Sequence, residues 1–412
     1  MAGTGRILAG EFPVSEPKRI RILLLIPHLG GGGAEHVMAA VAAGLATGLD
    51  SRLDAARFEV HLAVLAADGD GAPQLPEQVR VHRLEAGRVR HAGPKLVRLV
   101  RAVQPELVVS GMMHLSLLVL ALRQWFPAGT GVGIRVNTTL SLAYPGGWAR
   151  WAQALLLRRA DAVLCQSEAM AEDAVRHMGI RRERCRVVPN PVAVERMGQA
   201  VLALRGGMGA SGDGRSSKDR SGMRVLCVGR LAREKGVDLL LEAWQRLPAK
   251  NGDELVIVGE GRERAALEAL SRRLGVEATV RFAGYLAETV PELAAADVYV
   301  QPSRLEGMPN ALLEAAAAGL PLVVTPCSAG VVELLRDADG AWVAEATHAD
   351  ALAAALRQAM DAVRARRAAG MGDVRLEYGF LRAHGFLRPY AQEAALQAWS
   401  DCLLEMAGER RR

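Results

Sequence analysis

The chain has 412 residues, half of them hydrophobic but only 4% aromatic, and a formal charge of +6. That length exceeds one ordinary domain of ~100–200 residues and calls for two. A composition rich in Ala, Leu, Val and Gly and poor in aromatics favours helices packed on sheets over an aromatic-rich β-sandwich. No RNP-like aromatic cluster, zinc-finger spacing or heptad-linked basic region accompanies the positive charge, which argues against nucleic acid as partner.

In chain order, Ile20–Ile26 reads as a buried strand, followed by a glycine turn and a helix from about Ala34. Phe58–Leu65 and Val79–Leu84 are further strands, then a helix leads to Leu107–Ser110. Another helix precedes Gly133–Val136, and Ala162–Cys165 is the last clear strand of this half. Because the first apolar run reads as a strand, no secretory signal is expected. The most apolar stretch, Leu107 to Leu122, is interrupted by Ser110, His114 and Ser116. It falls short of the ~20 residues a spanning helix needs, so no membrane crossing is expected.

The charge is unevenly spread: residues 1–200 carry 24 basic against 17 acidic side chains, and residues 201–412 carry 27 against 28. Arg80, Arg83, Arg88, Arg90, Lys95, Arg98 and Arg101 concentrate much of the excess. They read either as a solvated helix face or as a surface for an anionic partner. The five cysteines (Cys165, Cys185, Cys227, Cys327, Cys402) are scattered and form no Cys-x-x-Cys. Reduced, mostly buried thiols in a cytoplasmic compartment are expected.

The segment Gly206–Gly222 has no apolar periodicity and many turn residues, and reads as a flexible surface loop. The pattern then restarts with strands Val225–Val228, Glu254–Val258, Val280–Phe282, Val298–Val300 and Leu322–Thr325, again separated by helices. The expected organisation is a Rossmann-like α/β unit over 1–200, a linker over 201–222, a second such unit over 223–388 and an amphipathic helix over 389–412. Strand–helix alternation gives mostly parallel sheets covered on both faces, and two of them face each other across a cleft at their strand ends.

Three clusters carry chemistry. Gly30-Gly31-Gly32-Gly33-Ala34-Glu35 lies between the first strand and helix, where glycines admit a ligand and the helix N-terminus favours an anion. Glu35 occupies the third glycine position of a dinucleotide fingerprint, no acid follows ~20 residues later, and no Gly-Lys-Ser/Thr is present. A purely conformational turn remains the alternative. Gly229-Arg230-Leu231-Ala232-Arg233-Glu234-Lys235-Gly236 leaves a strand and enters a helix. Arg230 and Lys235 are placed there to clamp a diphosphate, or else form a surface pair without a role.

The third cluster runs from Pro302 through Glu306-Gly307-Met308-Pro309-Asn310 to Glu314. Pro309 suits the first turn of a helix, with Glu306 in the loop before it and Glu314 inside it. Carboxylates so placed accept hydrogen bonds from sugar and ribose hydroxyls, unless they only cap and solvate the helix. A triplet Asp68-Gly69-Asp70 matches a metal-holding Asp-x-Asp, but its Gly-rich run reads as a turn.

Together, Gly32-Gly33-Ala34-Glu35, Val188-Pro189-Asn190-Pro191, Gly229-Arg230-Leu231 with Lys235-Gly236, Gly259-Glu260-Gly261, Glu306 with Glu314, and Ala329-Gly330-Val331-Val332-Glu333 stand in the order found in one family. The chain resembles the retaining glycosyltransferases of group 1 (family 4, GT-B fold) over about three-quarters of its length. The resemblance implies a hexosyltransferase-type enzyme that needs no metal or other cofactor. Its donor would be a nucleotide sugar, with UDP as the carrier, and its acceptor a glycan or polyprenyl-linked hydroxyl. Arg230 and Lys235 would bind the donor diphosphate, and Glu306 with the amides of Gly307 and Met308 would hold the transferred sugar. Asn310 belongs to the same Glu-Gly-Met-Pro-Asn segment, which resembles members that use N-acetylhexosamines or related sugars. Glu314 would hold the ribose, and Gly32 and Gly33 would lie beside the phosphates or acceptor. The last helix would return to the first unit.

Many relatives carry a His after the fifth strand, where this chain has Arg135-Val136-Asn137. Asn137 or Arg135 is the candidate substitute, and His114 a second candidate, though a lone His is more often structural. The basic first unit also suggests peripheral contact with an anionic inner membrane face. Two other readings stay open: a nucleotide-sugar epimerase or hydrolase on the same scaffold, and a non-catalytic nucleotide- or glycan-binding partner.

Overall fold

The computed structural model describes residues 19–411, except Gly31, 49–56, 67–71, Arg88, Pro145, 208–221, 249–251, Asp337 and 370–383. The Asp68–Asp70 triplet and most of the Gly206–Gly222 segment therefore lie outside the described residues.

The first unit begins β1 (Ile20–Ile26), α1 (Gly33–Thr47), β2 (Phe58–Val64), β3 (Arg80–Arg83) and α2 (Val89–Val103). It continues with β4 (Leu107–Ser110), α3 (Met113–Leu122), β5 (Gly131–Arg135), α4 (Leu140–Ala143) and α5 (Gly147–Leu157). Then come β6 (Ala162–Cys165), α6 (Glu168–Met178), β7 (Cys185–Val187) and α7 (Val194–Gly207). The strands form a seven-stranded sheet in the order β3-β2-β1-β4-β5-β6-β7, parallel throughout.

The second unit opens with β8 (Arg224–Val228), α8 (Val237–Gln245), β9 (Glu254–Val258), α9 (Arg264–Arg273) and β10 (Val280–Gly284). It goes on with α10 (Val290–Ala295), β11 (Val298–Gln301), α11 (Asn310–Ala317), β12 (Leu322–Val324), α12 (Ala329–Leu335) and β13 (Ala341–Val343). The chain closes with α13 (Ala349–Ala368), α14 (His384–Leu387) and α15 (Gln392–Arg411). The second sheet has six strands in the order β10-β9-β8-β11-β12-β13, again parallel.

Burial on both faces explains the continuous apolar runs of these strands. Along β1, Leu23 and Leu25 join the core on one side of the sheet, while Ile22, Leu24 and Ile26 join the core on the other. Two strands escaped sequence reading, β7 and β13. Each is three residues long and carries half-buried positions, so neither displays an apolar run.

Chain reversal places the site. Strand order turns back between β1 and β4 in one sheet and between β8 and β11 in the other. Such switch points open a crevice at the carboxyl ends of the strands, and the β1–α1, β8–α8 and β11–α11 connections emerge there.

The seam between the units lies before residue 200. Helix α7 packs on α10 and α11, and Val192, Val194 and Val201 sit in the second unit's core. Its apolar face finds no cover on the first sheet, so the crossover falls near Pro189–Pro191. The chain crosses back beside it, with Val192 N–H donating to Tyr390 O at 2.8 Å and Val192 bridging Ala391. Helix α15 then packs into the first unit's core through Leu396, Trp399, Cys402, Leu403 and Met406. All five cysteines are buried free thiols. Among the described residues no helix is long and apolar enough to cross a membrane.

Candidate functional site

Between the units lies a cavity of about 630 Å³. Its first-unit wall includes Gly32, Gly33, Ala34, Glu35, Asn137 and Thr138; its second-unit wall includes Gly229, Arg230, Lys235, Glu306 and Met308. Sequence-predicted groups from both halves thus meet at one place.

The second-unit wall is organised around Glu306. The loop after β8 must turn back past β11, and Gly236 makes this possible. It adopts φ 66°, and a Cβ there would overlap the Pro302 carbonyl oxygen. The turn delivers Lys235 Nζ to 2.6 Å from Glu306 Oε1. The same oxygen accepts from Ser303 Oγ at 2.8 Å and from Gln301 Nε2 at 3.3 Å. Three donors on Oε1 fix the carboxylate. Arg230 is paired with Glu234 at 3.0 Å and keeps 62% of its side chain exposed. Such an exposed pair holds weakly and leaves the guanidinium available to an incoming anion.

The first-unit wall is the amino end of α1. Gly32 is its cap residue, and Glu35, only 7% exposed, stands in its first turn. The amide groups of this turn and the helix dipole favour an anion there, which the Glu35 carboxylate opposes. His28 Nε2 lies 3.9 Å from Glu35 Oε1.

A chain of buried polar groups ties the walls together. Arg135 is fully buried; one terminal nitrogen donates to Asn137 Oδ1 and the other to Asn190 Oδ1 at 2.6 Å. Asn190 Nδ2 donates to Asn310 Oδ1 at 2.6 Å and to Met308 O at 3.2 Å. Asn310 Nδ2 donates to Gly33 O at 3.0 Å, and Met308 N–H to Gln166 Oε1 at 2.8 Å. Burial pushes the Arg135 guanidinium down to about 10, with Glu35 pulling the other way. It therefore stays cationic at neutral pH. Gly307 presses so closely on Gln166 and the Asn137 carbonyl that a Cβ would overlap both.

Several expectations change accordingly. Arg135 is no acceptor-side substitute for histidine, because both its terminal nitrogens are spent on asparagines. Asn137 lines the cavity, but its Oδ1 accepts from Arg135 and its Nδ2 donates to Gly111 O. Asn310 and the Met308 amide are likewise committed across the seam. These groups tie the two units together across the seam. His114 is exposed on the first turn of α3 and does not border the cavity.

Glu314 lies one helical turn beyond Asn310, on the same face of α11. It keeps part of its surface exposed, yet burial of its carboxyl pushes it up to about 7, with His36 on α1 opposing the rise. Sequence reading overlooked Gln301, Ser303 and Gln166. A polar residue at the end of a buried strand was the available signal, since burying one demands a partner.

Comparison with known proteins settles the family. A model described as Glycosyl transferases group 1 matches residues 222–362, and one described as Glycosyltransferase Family 4 matches residues 31–196. The chain belongs to the group 1, family 4 glycosyltransferases. A lipopolysaccharide core biosynthesis glycosyltransferase of Rhizobium meliloti is 34% identical over 49% of this chain and 54% of its own length, so that match spans about half of the relative. An N-acetylgalactosaminyltransferase of Campylobacter jejuni, acting on a diphospho-undecaprenol-linked acceptor by its name, is 26% identical over 84% of this chain and 91% of its own. Among solved structures, Anabaena HepE in complex with UDP aligns over 94% of this chain and all of its own, with TM-score 0.69 and 17% identity. At that identity the likeness shows the GT-B fold of this glycosyltransferase family member.

Proposed function

We propose that this chain transfers a sugar, with retention of anomeric configuration, from a UDP-linked donor to a hydroxyl of a glycan or lipid-linked acceptor in cell-surface polysaccharide or glycolipid synthesis. The observation that carries the proposal is the Lys235–Glu306 pair at 2.6 Å on the cavity wall, facing the amino end of α1. Loss of UDP separates charge. Lys235 and Arg230 offer cations where that charge develops, and preorganised donors of this kind supply ~10²–10³ in rate each. In this reading they do the work a metal does elsewhere, and the transfer proceeds without one.

Glu306, held by three donors on one oxygen, offers the other to a hydroxyl of the transferred sugar. Glu314 takes the ribose once ionised. Glu35 and Thr138 on the opposite wall face the acceptor. The UDP named in the Anabaena structure supports UDP as carrier, and the Campylobacter relative's name supports a polyprenyl-linked acceptor presented at a membrane face.

The test is a panel of UDP-sugars incubated with and without a lipid-linked glycan, with the anomeric configuration of the product read by NMR. Acceptor-dependent release of UDP and an axial-to-axial outcome support the proposal. Donor consumed equally without acceptor would assign an epimerase or hydrolase instead.

A further inference from the structure

The first unit leaves a large apolar face uncovered beside the cleft. Trp148 is 83% exposed, Trp151 70% and Leu155 50%, all on α5, with Leu142 of α4 at 55%. Positions 148, 151 and 155 fall within one narrow stripe of a helix, and the opposite side of α5 buries Ala154 and Leu157. Trp125, after α3, adds a third indole at 45%. Scattered surface apolar residues need no explanation, but grouped indoles on one face do. The face also adjoins the site: Thr138 lines the cavity, and α4 starts two residues later.

The charge along this stretch of sequence is mainly positive, although α6, which packs on α4 and α5, brings Glu168, Glu172 and Asp173. From Ala86 to Ala160 the sequence holds ten Lys and Arg residues and a single acid, Glu106. That acid accepts from the Arg21 amide at 3.2 Å. Helix α3 packs on both α2 and α5, so it stands between the basic helix α2 and the aromatic one. Lys95, Arg98 and Arg101 on α2 and Arg158 and Arg159 after α5 are exposed. Arg101 Nε donates to Trp125 O at 3.0 Å, joining the basic and aromatic parts.

We propose that the α4–α5 face docks this protein on an anionic bilayer, the indoles lying at headgroup depth and the α2 cations on lipid phosphates. Tryptophan suits an interface because its ring is apolar and its N–H polar, and a helix lying in the plane adds buried apolar area to electrostatic attraction. A second copy fits poorly, since a symmetric contact would set like charges against each other. The inference rests on the transferase reading only for what the membrane delivers, an acceptor headgroup carried to the rim of the cleft at Thr138.

The experiment uses the full chain with sucrose-loaded vesicles of phosphatidylcholine, with and without phosphatidylglycerol, and brominated phosphatidylcholine as a quencher. The protein is expected to sediment with phosphatidylglycerol vesicles at low salt and to lose tryptophan fluorescence to bromine. The double variant Trp148→Ala/Trp151→Ala should bind roughly tenfold more weakly or worse, since burying an indole contributes about a decade or more. Its melting temperature and UDP affinity should not change, which separates this inference from the transferase reading. Wild type remaining in the supernatant, or sedimenting without quenching and no better than the variant, would overturn it. So would a dimer that dissociates on the same substitutions.

Discussion

Lys235 Nζ stands 2.6 Å from Glu306 Oε1, joining the connection after β8 to the connection after β11. The pair is part-buried, its side chains 23% and 10% exposed. Each partner therefore sets the position of the other, and removing one leaves an uncompensated charge.

Lys235→Ala is expected to lower kcat by ~10²–10³ while leaving acceptor KM within a small factor, because the missing cation acts on the leaving diphosphate. Steady-state kinetics with saturating acceptor check this. An effect confined to acceptor KM would place Lys235 on the wrong side of the cleft.

Ser303→Ala removes one of three donors to Glu306 Oε1 and the acceptor of Gln301 Nε2 at 2.7 Å, while Ser303 itself does not line the cavity. The expected outcome is a loss of about 1 kcal/mol in transition-state stabilisation, near fivefold in kcat. Kinetics of the variant beside Ser303→Thr measure it, and the threonine should retain most of the rate.

Gly307→Ala inserts a methyl where Gln166 and the Asn137 carbonyl already touch the backbone. The two walls must then part. Solution scattering should show a larger radius of gyration, and the transfer rate should drop by about tenfold or more, since misplacement near 1 Å is costly. Each unit keeps its own core, so the melting temperature should change little.

Burial raises the Glu314 carboxyl from its ordinary 4.5 to about 7. Between those values the folded chain holds a proton that the unfolded chain has lost, so stability falls as pH rises across the window. Glu314→Gln should flatten the slope, an effect on the order of 2–3 kcal/mol by denaturant titration at pH 5 and pH 7.5. Ribose hydroxyls favour the ionised form, so UDP affinity should rise with pH more steeply in wild type than in the variant, where only the terminal phosphate of UDP titrates in that range.

The parallel strands were legible because burial on both faces makes each one an apolar run, as in Ile20–Ile26. Glu306, Lys235 and Gly236 stood out because their loops join a strand to a helix within a few residues. The tie across the seam was not legible. Arg135, Asn190 and Asn310 lie far apart in sequence, and only folding reveals that each spends its side chain on the next. The boundary expected at residue 200 cuts through helix α7, because nothing in the sequence there shows which sheet the helix packs on.

The central claim is a donor site built from Arg230 and Lys235 on the second unit. Calorimetric titration of UDP, GDP and ADP without added metal, on wild type and Arg230→Ala, tests it most directly. The account predicts that UDP binds wild type far more tightly than the other two and that the variant loses the binding. No measurable binding of any nucleotide to wild type, or equal binding to both proteins, would contradict it.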